Sequence, residues 1–185
     1  MKIVDLTNTS ELIHQVCELL VDAFEHAWAD MNEAFEEVEQ TLQKERISRI
    51  AIDTSGTVLG WIAGASSYEG NVWELHPLVV RENHRKQGIG TALVMDFEQQ
   101  VKLRGGITIT LGADDESDST TFSGVDLYAD LPGHMANFKV SGAHPAEFYK
   151  KRGFVITGVV PDANGIGKPD ILMSKRVALS TSTMV

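Results

Sequence analysis

Trp73-Glu74-Leu75-His76-Pro77-Leu78-Val79-Val80, followed by Arg85-Lys86-Gln87-Gly88-Ile89-Gly90-Thr91, is the stretch around which the chain is organised. Its first half reads as a buried strand that ends in a polar turn. The turn feeds a glycine-rich entry into an amphipathic helix. Backbone N–H groups at such a helix start, together with the helix dipole, can hold a phosphate group. The strand before it carries Glu74 and His76, two groups able to move protons. Same-face neighbours in a strand lie within ~7 Å of each other, so both can face one cleft. Pro77 cannot donate a ladder hydrogen bond, so the strand is expected to be bulged or splayed there.

Outward from this stretch, the bulk numbers describe an ordinary globular protein. The chain has 185 residues, 43% of them hydrophobic and 23% charged. That suits a single domain, placed at residues 1–177, with a frayed polar tail at 178–185. One cysteine, Cys17, excludes an intrachain disulfide and fits a cytoplasmic setting. It sits in an apolar helical pattern, which favours a packing role over a catalytic thiol. No signal peptide is expected from residues 1–5, and no apolar run approaches the ~20 residues that span a bilayer. The net charge of −10 argues against nucleic acid or an anionic membrane as partner and is compatible with cationic small molecules.

Before the central strand, residues 2–6 read as an edge strand. Asn8 with Glu11 suggests a capping box, opening a helix over 10–24. A second helix is expected over 32–42. Between and across the two lie Trp28 and an acidic group of Glu25, Asp30, Glu33, Glu36 and Glu37, with His26. This is either a solvated helix face or the wall of a cation-binding cleft with Trp28 as its flat surface. A hairpin is expected from 49–53 and 58–66, with Gly60 and Gly64 marking a bulge or a close backbone approach.

After the central helix, Ile107-Thr108-Ile109-Thr110-Leu111 alternates strictly and predicts a strand, parallel to the one at Trp73 through a helical crossover. Periodicity then fades over 113–143. Some thirty residues without an element suggest a functional loop or flap, opening on Asp114-Asp115-Glu116. His144 to Gly153 has the signals of a short helix, with Pro145 at its start and basic residues at its end. Strands over 154–160 and 170–177 complete the chain.

The glycine motif by itself admits several readings. A dinucleotide fingerprint needs a third glycine where Val94 stands, and a P-loop needs Gly-Lys-Ser/Thr, which is absent. No histidine or cysteine pair has metal-ligand spacing, so no metal site is expected. No Gly-x-Ser-x-Gly elbow supports Ser-His-Asp chemistry.

What remains, Arg85-x-x-Gly88-x-Gly90 behind such a strand, resembles the acetyl-CoA-binding motif of the GNAT acetyltransferase superfamily. Trp73 to Val80, Arg104-Gly105-Gly106-Ile107-Thr108-Ile109 with Leu111-Gly112 and Asp114-Asp115, Glu147-Phe148-Tyr149, and Ala163-Asn164-Gly165 followed by Lys168-Pro169-Asp170-Ile171 resemble the aminoglycoside 6'-N-acetyltransferases within it. The first seventy residues agree by element order and acidic character more than by motif.

The resemblance implies an α/β (α+β) fold of the GNAT type. Its mixed, largely antiparallel sheet would be splayed around the cofactor strand, with helices on both faces. It implies direct acetyl transfer from acetyl-CoA to the 6'-amine of an aminoglycoside, conferring resistance, without a metal. Glu74 would be the general base, directly or through a water, beside His76, and Tyr149 would protonate the departing thiolate. The Leu78 N–H would polarise the thioester carbonyl. Val79 and Val80 would pair with the pantetheine arm. Gln87, Gly88, Ile89, Gly90 and Thr91 would hold the pyrophosphate, with Arg85 as added positive charge. Trp28, Asp114 and Asp115 fall on the substrate side. Glu74 also reads as a solvent-facing strand residue, His76 as a backbone-bonded histidine, Tyr149 as core and the Asp pair as a turn cap. The family often forms homodimers. Other substrates of the same fold, a polyamine or a protein lysine, and a CoA-binding module without turnover are the alternatives.

Overall fold

The computed structural model describes residues 1–24 and 27–178. Glu25 and His26 of the acidic group, and the tail from residue 179, lie outside the described residues. Chain length suggests one domain over 1–177; the contacts gather into two compact units. One is Met1–Ile109 with the segment from Val177, the other Thr110–Arg176.

The first unit holds β1 (Lys2–Asp5), α1 (Ser10–Ala23), α2 (Met31–Thr41), β2 (Arg46–Ile52), β3 (Val58–Ser67), β4 (Val72–Val80) and α3 (Ile89–Leu103). The strands are ordered β1-β2-β3-β4, each pair antiparallel. β3 is buried over its first seven residues because helices cover both of its faces. Trp61 and Ala63 share one core cluster with Ile13, Val16 and Leu20 of α1 and with Ala34 and Val38 of α2. On the other face the glycines admit α3. A Cβ on Gly60 would stand 3.1 Å from Leu93, and one on Gly64 would meet Phe97 and the Glu74 carbonyl. The glycine spacing at 60 and 64 is therefore a close-approach signal. A buried hydrogen-bond chain, Trp61 Nε1 to Ser48 Oγ at 2.9 Å and Ser48 to Thr41 at 3.0 Å, ties α2 to β2 and β3.

One local expectation does not hold. The Asn8–Glu11 capping box does not form. Thr9 is the cap residue of α1 and makes no side-chain cap bond, while Glu11 accepts from Gln15. The unrecognised cap belongs to α2, where the Asp30 carboxylate accepts the N–H groups of Asn32 and Glu33. Glu33 in turn accepts the Ala29 N–H at 2.9 Å. Two members of the acidic group are thus engaged in starting a helix, which also fixes the exit of the connection that carries Trp28.

The second unit holds β5 (Thr108–Asp114) from Thr110 onward, α4 (Leu131–Ala136), α5 (Pro145–Lys150), β6 (Val155–Val160) and β7 (Asp170–Arg176), with strand order β5-β7-β6 and β6 antiparallel to β7. The long segment expected as a loop or flap is packed down. Phe122 and Leu127 are buried, Phe122 lies 4.7 Å from the Phe138 ring, and Thr120 bridges Val140. Apolar anchors without helical or strand period hid this from a periodicity reading.

Candidate active site

In β4, Leu75 pairs with Gly64 and Leu78 with Ile62, so β4 has one more residue than β3 between these pairs. The extra residue falls at His76-Pro77, whose peptide bond is cis. This is the bulge that Pro77 led one to expect, and it changes which side chains share a face. Glu74 stands opposite Ala65, Val79 opposite Trp61 on the same face, and Leu78 opposite Ile62 on the other. Glu74 and His76 are both exposed, whereas Trp73 and Leu75 are buried against the opposite side. The Trp28 indole reaches the same place. It stands 6.0 Å from the His76 ring and is itself held edge-on to Phe24 at 5.3 Å. Of the expected site residues, the first unit therefore brings Trp28 and His76 into contact, with Glu74 two residues away on the exposed face.

The turn after β4 is built from positive-φ residues, Lys86 at 62° and Gly88 at 86°. Gly88 is the cap residue of α3, and a left-handed backbone there favours glycine. The Ala92 N–H bonds back to the Gly88 carbonyl at 3.0 Å. The N–H groups of Ile89 and Gly90 precede that bond, at the helix end where N–H groups are left over from the helical pattern and point along its axis. Ile89, Leu93, Phe97 and Val101 bury one face of α3 and anchor this end. Arg85 Nε donates to the Val80 carbonyl and Arg81 Nε to the Val58 carbonyl, which places two guanidinium groups beside the turn. A cleft of about 400 Å³ runs along it, lined by Leu19, Val80, Arg81, Asn83 and Arg85. Leftover N–H groups, arginines and a left-handed glycine fit a pyrophosphate. Cys17 is buried, and desolvation pushes its thiol up to about 11, so it is a packing residue.

In the second unit the two adjacent aspartates part company. Asp114 is exposed at the end of β5, and its carboxylate accepts from the Asn164 amide. Asp115 is fully buried. One oxygen accepts the Ser119 N–H at 2.7 Å, and the other has no hydrogen-bond partner among the described residues. Its side chain thus takes the turn-cap alternative and is turned away from solvent. Alternation along β5 explains this, since it places Ala113 and Asp115 inward and Asp114 outward.

Tyr149 lies on α5, its ring against Phe148 at 5.1 Å and Phe154 at 5.4 Å. It is buried, and burial drives its phenol well above the ordinary value, with the Arg152 cation pulling weakly the other way. At neutral pH it is a proton or hydrogen-bond donor and never a base. Three residues outside the expected set hold this region. His144 caps α5, Asn164 holds Asp114, and Lys168 ties Asp118 at 2.7 Å and the Glu116 carbonyl at 2.9 Å. His144, standing directly before a proline at the first helical position, carried a readable cap signal. The other two depend on contacts some fifty residues apart and carried none.

The Acetyltransferase (GNAT) family matches residues 13–122. Among solved structures, an aminoglycoside 6'-N-acetyltransferase complexed with coenzyme A is 40% identical, covering 98% of this chain and 100% of its own, with a TM-score of 0.93. The aminoglycoside 6'-N-acetyltransferase from Enterococcus faecium is also 40% identical over 98% and 100%, with a TM-score of 0.91. An aminoglycoside 6'-acetyltransferase type Ii is 37% identical over 97% and 99%, with a TM-score of 0.76. No curated protein matches the sequence. With the family match spanning more than half of the chain, and with the mixed, mostly antiparallel architecture shared along nearly its full length, the chain belongs to the GNAT family of acetyltransferases.

Proposed function

We propose that this chain is an acetyl-CoA-dependent acetyltransferase acting on the 6'-amino group of aminoglycosides. The observation that carries the reading is 40% identity, over 98% of the chain, to an aminoglycoside 6'-N-acetyltransferase complexed with coenzyme A. Acetyl-CoA, when bound, supplies the acetyl group as a thioester. Gln87 to Thr91 hold its pyrophosphate through backbone N–H groups, and Arg85 adds positive charge. Val79 and Val80 pair with its pantetheine arm, and the Leu78 N–H beside the bulge donates to the carbonyl oxygen.

Glu74 removes a proton from the substrate ammonium, directly or through a water, because an ammonium has no lone pair with which to attack. His76 orients or relays that proton, and Trp28, packed on it, supplies a flat apolar wall. Asp114 holds a second ammonium of the aminoglycoside by a charge-assisted hydrogen bond. Asp115, expected beside it, acts through the turn it caps. Tyr149 donates its hydroxyl proton toward the departing sulfur.

Purified protein mixed with acetyl-CoA and kanamycin or tobramycin should release free thiol. A derivative bearing a 6'-hydroxyl should give none. Absence of thiol with every aminoglycoside overturns the assignment, and faster turnover of spermine or a lysine peptide transfers it to another amine. Expression in a susceptible bacterium should raise the inhibitory concentration of 6'-amino drugs. We also infer a cytoplasmic homodimer. The dimer is supported by Val155 and Val160, 61% and 44% exposed along β6, the last strand of its sheet order. Sedimentation at micromolar concentration should return twice the chain mass, and a monomer sinks that part.

A further inference from the structure

We infer that His144 is a positioning residue that holds the Tyr149-bearing helix α5 to the Asp114-bearing end of β5. This rests on the roles proposed above for Tyr149 and Asp114. The imidazole is 5% exposed and both of its nitrogens are engaged. Nδ1 accepts the Ala146 N–H at 3.1 Å, so it carries no hydrogen. Nε2 lies 3.1 Å from the Asp114 carbonyl oxygen, which can only accept, so Nε2 carries the hydrogen. A single neutral tautomer satisfies both bonds, and any rotation of the ring loses both.

α5 is only six residues long, too short to be stable by itself, so its ends decide where Tyr149 stands. Its far end is closed by Gly153 at φ 82° and by the Phe154 N–H on the Tyr149 carbonyl. Its near end is closed by His144, with Pro145 behind it. Asp114 is held twice, at its carbonyl by His144 and at its carboxylate by Asn164. One side chain therefore sets the start of the helix that carries the leaving-group donor and fixes the backbone of the residue read as the substrate anchor.

A residue that merely stabilises the fold would lower melting temperature and slow every step alike. A positioning residue acts through Tyr149, and a double-variant cycle separates the two. His144→Ala should lower kcat roughly 10–100-fold while the acetyl-CoA Kd stays within about twofold. The pair His144→Ala with Tyr149→Phe should be no slower than Tyr149→Phe alone. Losses that multiply, with Tyr149→Phe itself slow, overturn the role of His144 and leave the proposed function standing. A Tyr149→Phe enzyme at the wild-type rate overturns both the Tyr149 assignment and this one.

Two shorter replacements divide the ring. His144→Asn keeps an acceptor at the cap and should recover kcat but not the aminoglycoside KM. His144→Gln keeps a donor toward Asp114 and should do the reverse. Parallel recovery of both constants overturns the proposal. Should His144→Ala fail to fold, His144→Gln takes its place in the cycle. Nitrogen NMR of the wild-type imidazole reads the tautomer without any activity, and a hydrogen on Nδ1 overturns the geometry on which the proposal stands.

Discussion

The turn between β4 and α3 and the segment between β5 and α5 each follow a strand and precede a helix, and they use their polar groups in opposite ways. The first is a backbone device. Left-handed Lys86 and Gly88 turn the chain so that the N–H groups of Ile89 and Gly90 lie ahead of the bond from Ala92 to the Gly88 carbonyl. The second is a side-chain network. Asn164 holds Asp114, Ser119 holds Asp115, Lys168 holds Asp118, and His144 closes onto the Asp114 carbonyl. The difference matches the two ligands proposed. A pyrophosphate is common to every enzyme that uses the same cofactor, and backbone groups suffice for it. An amine substrate has to be discriminated, which takes carboxylates set in particular places.

The largest expected effect separates the chemistry from both regions. Glu74→Gln should lower kcat about 10²–10⁴-fold and leave acetyl-CoA affinity unchanged, since Glu74 belongs to neither holder. The loss should deepen at low pH, where more of the amine carries its proton. A pH–rate profile of Glu74→Gln that matches the wild type removes Glu74 from the base role. Next in size is Asp114→Asn. Losing one charged hydrogen bond worth about 1.5–3 kcal/mol should raise the aminoglycoside KM roughly 10-fold or more, with the acetyl-CoA KM held. Asp115→Asn should keep both constants within about twofold and register only in melting temperature, because its carboxylate is buried. Equal effects of the two aspartates on KM would erase the distinction drawn between them. Smaller again is Gly88→Ala. Forcing a Cβ into a left-handed backbone costs about 1–2 kcal/mol, so the acetyl-CoA KM should rise about 5–30-fold while the aminoglycoside KM stays put.

The same contrast explains what could be read from the residues. The strand from Val72 to Val80, its break at Pro77, the glycine turn and the burial stripe of α3 all follow from neighbours within a few positions, so local pattern carries them. Gly60 and Gly64 were legible for the same reason, as residues without a Cβ where α3 comes close. The network around Asp114 was not legible. Asn164 and Lys168 meet residues 50 positions away, which no period or propensity encodes. Asp114 and Asp115 look alike in the sequence, and only their alternation at the end of β5 sends one outward and the other inward. The false capping box at Asn8 and Glu11 shows the limit of even a local signal. The motif was present, but the cap residue of α1 is Thr9, one position after Asn8, and it makes no side-chain cap bond.

The smallest expected effect tests whether the side-chain network is as conditional on protonation as its one histidine implies. Burial holds His144 below its ordinary value of 6.5, against the opposing pull of Asp115, Asp114 and Glu147. The unfolded chain therefore binds this proton more readily than the folded one. The stability contributed by neutral His144 is fully present above about pH 6.5 and is lost as pH falls below it through the folded value. Protonation also places a hydrogen on Nδ1, which can no longer accept from Ala146, so the cap of α5 opens. A cap is worth about 1 kcal/mol, which corresponds to a fall of ~2–4 °C in Tm for a chain of this size. His144→Asn, an acceptor that does not titrate in this range, should flatten the Tm profile between about pH 7 and 5 relative to the wild type. Gly88→Ala, placed in the backbone device, should leave the shape of that profile unaltered. If the wild type and His144→Asn lose the same Tm over that interval, the acid sensitivity belongs to other groups, and the network does not open at His144.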